Sequence, residues 1–147
     1  KGNGQHTVFE DVKISYSENW RKDHWQSLVS SYRRSAYFEY YEDQISPIYT
    51  NDYEFLKDFN LASLKIVSEL LQVPISFQVT ESYITKESFE GNDRRDMVHP
   101  NPRKMKLTYD LPKYQQVFMD RMEFLSDLSI LDILFNLGPR SVEYLRQ

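Results

Sequence analysis

Three short polar side chains, Ser129, Asp132 and Asn136, are set into the apolar run "LSILDILFNLGP" at residues 128–139. At about 100° per helical residue, spacings of three and then four gather them within a sector of roughly 60°. Ile130, Leu131, Ile133, Leu134, Phe135 and Leu137 take most of the remaining circumference. A wet helix face is usually built from Lys, Glu, Arg and Gln, whereas Ser, Asp and Asn are poorer helix formers and compete for backbone hydrogen bonds. Short polar groups suit a crowded interior, where each must find a partner. Asp132 would then brace a neighbouring loop or orient a bound group. The same stripe also fits a surface helix turned to water.

A second constellation is "WRKDHW", residues 20–25. Arg21 offers a guanidinium fork for phosphate or carboxylate, and His24 can donate, accept or titrate near neutrality. With Trp20, Trp25 and Tyr32 on the same helical side they would form an aromatic-walled anion site. Alternatively, Arg21 reaches into water and His24 is a hydrogen-bonded core residue. A third group joins Arg95 and His99 to Tyr114, Gln115 and Gln116 of "PKYQQVF", residues 112–118. His99 precedes Pro100 and reads as a loop residue, where function often sits. Tyr114 and Gln116 would present hydrogen-bonding groups from a short extended piece.

The elements that must position these groups follow from periodicity. Val12 and Ile14 in "DVKIS" alternate with polar neighbours, as a short strand with one buried face does. Ser17 precedes a helix carrying Trp20, His24, Trp25, Leu28, Val29 and Tyr32 on one side. Residues 36–44 read as helical, and Ser46–Pro47 opens a further turn. From Asp52 to Val73 runs the broadest apolar helical face, ending before Pro74. In "ISFQVTESY", Ile75, Phe77, Val79 and Tyr83 share one parity, the mark of a strand. Met105, Leu107 and Tyr109 predict another. Asp127 is a candidate cap for the terminal helix, Gly138 its stop, and Pro139 the start of a last helix. The expected architecture is α+β: dominated by helices, with a small sheet covered by them, in a single domain over residues 1–147.

Composition narrows the function classes. Hydrophobic residues make up 40% and charged residues 27%, a globular mixture, not a disordered one. The net charge of −4 and scattered basic pairs argue against nucleic acid. No apolar stretch approaches the roughly 20 residues of a membrane-spanning helix, and the expected location is the cytoplasm. With no cysteine there is no disulfide, thiol nucleophile or thiolate metal site, and three dispersed histidines predict no metal site. No glycine-rich phosphate loop or serine–histidine–acid spacing is present, and no cofactor is identified. Eleven tyrosines stand in the chain, seven of them between residues 16 and 53.

Taken together, "YQQVF", Phe124 and "LSILDILFNLGP" resemble the C-terminal signature of the WbqC-like family, Y-x-Q-V-F followed by G-F-x-x-N-L-S-I-x-D-L-L-F-N-x-G-P. "NWRKDHWQSLVSSYRRSAYFEYY" is similar to that family's N-W-x-x-x-H-W-x-x-L-x-x-A-Y-x-x-S-P-F-F-E-Y-Y block, and "DRRDMVHP" to its D-x-R-x-x-I-H-P stretch. Glu123 and Asp127 depart from the family's glycine and asparagine. The resemblance also implies an N-terminal strand and helix with an H-Q-P-x-Y motif preceding this chain, whose loss would leave strand 11–15 with an edge on which a second copy could pair.

The resemblance implies a role in bacterial O-antigen and surface-polysaccharide biosynthesis, with transfer of an acyl or aminoacyl group to the amino sugar of a sugar nucleotide. In that reading His24, Asp132 and His99 are the catalytic candidates. Arg21, Trp25, Tyr32, Arg95, Tyr114, Gln116, Ser129 and Asn136 are the substrate-binding ones. The alternative is a non-catalytic carbohydrate- or partner-binding scaffold module. A third possibility is that the polar residues serve folding alone.

Overall fold

A helix about which others can pack must be apolar on more than one side, and Ile130–Leu137 is the most apolar segment of the chain. The computed structural model describes residues 8–80, 82–95, 97, 112–126 and 128–146. Their regular structure is helical: α1 (Trp20–Tyr32), α2 (Phe38–Ile45), α3 (Pro47–Thr50), α4 (Leu56–Leu70), α5 (Ile130–Leu137) and α6 (Ser141–Leu145), with 3-10 turns at Phe9–Asp11 and Gly138–Arg140. The chain divides into two units, one formed by Lys1–Ile75 with Lys113–Gln147 and the other by Ser76–Pro112.

In the first unit, Leu134 and Phe135 of α5 are fully buried against Phe38, Tyr41 and Ile45 of α2 and Ile48 of α3. The contacts are largely aromatic. Phe135 meets Phe38 edge-on at 5.0 Å between ring centroids and Tyr32 at 5.1 Å, while Trp25 lies against Tyr49 at 5.8 Å. Such pairs add about 0.5–1.5 kcal/mol each beyond their burial. α1 and α4 cover this centre with half-buried side chains, among them Trp25, Leu28, Val29, Phe59, Ile66 and Leu70. Neither contributes a fully buried large residue, although α4 carries the broadest apolar pattern in the sequence. Asn19, not Ser17, occupies the N-cap of α1. Pro47 opens α3 at its first turn, as expected.

The expected α+β fold with a small covered sheet is overturned, because no strand pair forms among the described residues. Past the 3-10 turn that ends at Asp11 the backbone is extended at Val12, and Val12 and Ile14 share the more buried side. Their pairing stops at one antiparallel bridge, Lys13 with Phe55, flanked by Ile14 N–H to the Glu54 carbonyl (3.0 Å) and Leu56 N–H to the Val12 carbonyl (2.9 Å). Leu56 then opens α4, so the partner segment curls away after one rung. The strand edge on which a second copy might pair is thus reduced to that bridge. Ile75, Phe77, Val79 and Tyr83 keep their common parity but are all exposed, Tyr83 to 82%. Parity specifies only which side chains share a face; a strand also needs a hydrogen-bonding neighbour, and none forms for 75–83 among the described residues. Positions 105–109 lie outside them.

In the second unit the described backbone is irregular, with a turn at residues 86–88. Its principal tie is Arg95. The guanidinium pairs with Asp93 (2.6 Å), donates to the Ile84 carbonyl (2.7 Å) and lies 5.7 Å from the Tyr83 ring centroid.

Two helix ends carry left-handed backbone. Past α4, Gln72 N–H bonds the Glu69 carbonyl and Val73 N–H bonds the Ser68 carbonyl, a Schellman ending whose turning residue is usually glycine. Gln72 occupies that place with φ of 55°. At the end of α5, Gly138 has φ of 56°, and a Cβ there would stand 2.6 Å from the Tyr37 ring. Gln72→Gly should therefore stabilise the protein by about 0.5–1 kcal/mol once the extra freedom of the unfolded chain is deducted. Gly138→Ala should cost about 2 kcal/mol or more. Both are read from urea unfolding midpoints; no change in either would contradict the helix endings described.

Candidate functional site

The three polar residues of α5 have three different environments. Ser129 is exposed and caps the helix, its Oγ accepting from Leu131 N–H at 3.3 Å. It takes the role expected of Asp127, which lies outside the described residues. Asn136 is half-buried and turns its amide back onto the Asp132 carbonyl at 2.8 Å. Asp132 is 3% exposed. The inward-facing member of the stripe is this carboxylate.

Asp132 Oδ2 accepts from the Tyr114 hydroxyl at 2.5 Å and from Gln116 Nε2 at 3.2 Å. Tyr32, at the end of α1, lines the same pocket as this carboxylate. Gln116, 6% exposed, works in two directions: its amide grips Leu125, donating to the carbonyl at 2.8 Å and accepting from the N–H at 3.0 Å. The Tyr114 ring is held edge-on between Phe124 (5.3 Å) and Tyr144 (5.1 Å). Among the described residues no buried side-chain nitrogen or oxygen lacks a hydrogen-bond partner. This cluster brings together Tyr32, Tyr114, Gln116, Asp132 and Asn136 from the predicted set. Phe124, which stood out in the sequence as part of the family-like signature, and Tyr144, which did not stand out, complete it.

A second site lies at the opposite end of α1. A cleft of about 430 Å³ is bordered by Tyr16, Glu18, Asn19, Arg21, Lys22, Trp25, Tyr49 and Thr50. Arg21 stacks on Tyr16 at 4.5 Å and donates through Nη1 to Asp52 (2.7 Å) and the Asn51 carbonyl (3.1 Å). Tyr16 is locked in turn, its hydroxyl bonding both the carbonyl and the N–H of Tyr53. Asn19 makes no side-chain cap, so the first amides of α1 remain available beside Arg21 and Lys22. Arg21 and Trp25 thus share one cleft. Sequence reasoning missed Tyr16 and Tyr49, whose only signal was the tyrosine-rich first third, and Lys22, which stands within "WRKDHW".

His24 does not line that cleft. It is exposed, and its ring sits edge-on to Trp20 at 5.4 Å. It stands eight residues from Tyr32 on the same helix, roughly 12 Å along the axis, and no contact joins it to Asp132. Arg95 belongs to the other unit, and His99 lies outside the described residues. Among the described residues no three His, Asp or Glu side chains could hold a common metal ion, and no helix is long and apolar enough to cross a membrane.

Burial first, and then the charge of Asp132, push the Tyr32 hydroxyl up to about 12. Tyr114 is driven further in the same direction, by burial first and then by its bond to Asp132. Both phenols are donors at neutral pH. A group whose value is raised on folding stabilises the fold below its unfolded value and loses that contribution as pH climbs through the folded one. Stability should therefore fall from about pH 10 upwards. Tyr41, Tyr49 and Tyr144, also raised by burial, act in the same sense. Tyr114→Phe should cost about 1–3 kcal/mol at pH 7 by stripping Asp132 of a donor, and should flatten the alkaline decline. Chemical denaturation at pH 7, 10 and 11 measures both; equal stability of the variant at pH 7 would count against the network.

Comparison with curated proteins returns no match, and neither does comparison with solved structures. A model of the WbqC-like protein family matches residues 1–99, which include "WRKDHW" and the cleft around it. The matched span is about two thirds of the sequence, and the chain belongs to the WbqC-like protein family.

Proposed function

We propose that this WbqC-like protein binds a sugar nucleotide in the cleft at the N-terminus of α1 and serves surface-polysaccharide biosynthesis by transferring an acyl or aminoacyl group to the bound amino sugar. The observation that carries this reading is the meeting of unbonded helix amides, Arg21 and Lys22 with the rings of Trp25 and Tyr49 in a cleft of about 430 Å³. That volume falls within the range of about 300–1,000 Å³ usual for small-molecule sites. Phosphate oxygens suit the amides and cations, and a base or sugar ring suits the aromatic walls. His24, one turn along α1 but outside the cleft lining, is the candidate to accept the proton that the amino group releases as it attacks an activated acyl carbon and the donor's leaving group departs. This reading assigns the protein to the cytoplasm, where sugars are activated on nucleotides.

The non-catalytic alternative is favoured by one observation. His24 has no hydrogen-bond partner among the described residues to fix its tautomer, whereas a catalytic base is usually oriented by a third group.

Thermal shift with UDP, UDP-N-acetylglucosamine and free N-acetylglucosamine tests binding. The first two should raise Tm and the free sugar should not; indifference to all three would refute the nucleotide reading. Lys22→Ala, at an exposed residue, should weaken nucleotide binding about tenfold without lowering the unliganded Tm. His24→Ala should keep binding and abolish transfer. Transfer that survives it would remove His24 as the base.

A further inference from the structure

Beside Asp132 lies a second, smaller pocket of about 140 Å³. Its walls are apolar, with Val117, Met119, Met122, Leu125 and Leu128 among them, and its polar groups include Tyr32, Gln116 and two carboxylates, Asp132 and Glu123. Among the described residues no Lys or Arg lines it. Asp132 is 3% exposed, yet its hydrogen-bond donors, Tyr114 and Gln116, are both neutral, as is the Tyr32 hydroxyl that lines the same pocket, and it forms no ion pair among the described residues. Neutral donors satisfy its lone pairs without cancelling its charge, and charges this deep are ordinarily paired.

We propose that this pocket binds a small primary amine: an ammonium group, directed to Asp132 with Glu123 assisting at the mouth, on a short apolar body packed between the methionines and leucines. A cavity of about 150 Å³ accommodates a benzene-sized molecule, so the body is limited to roughly six heavy atoms. A nucleotide is far too large. Met119 and Met122 are unbranched and adapt to differently shaped chains, and the mouth carries the exposed apolar side chains of Met122, Leu125 and Leu128. Charge sets the selectivity. A neutral alcohol of the same shape fills the space without compensating Asp132, and a carboxylate of the same shape is repelled by both acids. This site shares no wall residue with the α1 cleft, so it stands or falls separately from the nucleotide reading.

The test titrates isotope-labelled protein at neutral pH with isoamylamine, isoamyl alcohol and isovalerate, following backbone amide shifts by NMR. Isoamylamine should give saturable shifts centred on Val117, Leu125 and Leu128, with the alcohol and the acid about tenfold weaker or worse. Met122→Trp fills the mouth from an exposed position that the fold does not need, and should abolish those shifts. Glu123→Gln, also exposed, should weaken the amine severalfold. Asp132→Asn should remove the preference for amine over alcohol; should that variant not fold, Met122→Trp and Glu123→Gln decide. Equal binding of amine and alcohol, absence of saturation, or binding unchanged in Met122→Trp would overturn the proposal.

Discussion

Burying the carboxylate of Asp132 constrains the rest of the first unit. A charged group taken out of water is tolerated only when its oxygens are met by well-placed donors. Here the donors, Tyr114 and Gln116, stand 18 and 16 residues before Asp132, in the piece leading towards α5, and Tyr32 at the end of α1 lines the same pocket. Satisfying one side chain therefore fixes where residues 114–116 run and how α5 is rotated. Gln116 passes the constraint on, because the amide that reaches Asp132 also grips both backbone groups of Leu125. The loop 116–125 is closed by a side chain playing the part of a neighbouring strand.

The same helix is held at its far end by close packing. The Phe135 carbonyl accepts from Tyr37 N–H, and the Tyr37 ring lies where a side chain on Gly138 would have to go. Between these ends, Leu134 and Phe135 fill the centre against α2. α5 is thus positioned by a polar network on one face, aromatic packing on another and a glycine at its close. Its short polar residues serve three purposes: capping, back-bonding and bracing.

This arrangement separates the two places where chemistry is conceivable. α1 carries Arg21, Lys22 and Trp25 at its N-terminal end and Tyr32 at its C-terminal end, so the helix length keeps the cationic cleft and the Asp132 pocket apart. Their characters are opposite: the cleft combines helix amides with cations, and the pocket joins carboxylates to apolar walls. Opposite electrostatics and different volumes fit ligands of different classes.

Much of this was legible in the chain itself. The helix around "WRKDHW", the one within 52–73 and "ILDILFNL" follow from a 3.6-residue period, the end of the last from Gly138, and residue type left an inward turn of Asp132 open beside a wet face. These are local properties, carried by neighbours three and four positions away. Whether alternating segments become strands is not local: Val12 and Ile14 alternate correctly but find one rung beside Phe55, and Ile75 to Tyr83 find no partner among the described residues. Nor could spacing assign Ser129, Asp132 and Asn136 their separate tasks, or show that Tyr16 and Tyr49 would flank Arg21. Periodicity specifies which residues share a face of one element, whereas a hydrogen-bond partner or the wall of a cleft comes from another element, and only three-dimensional packing decides which element that is.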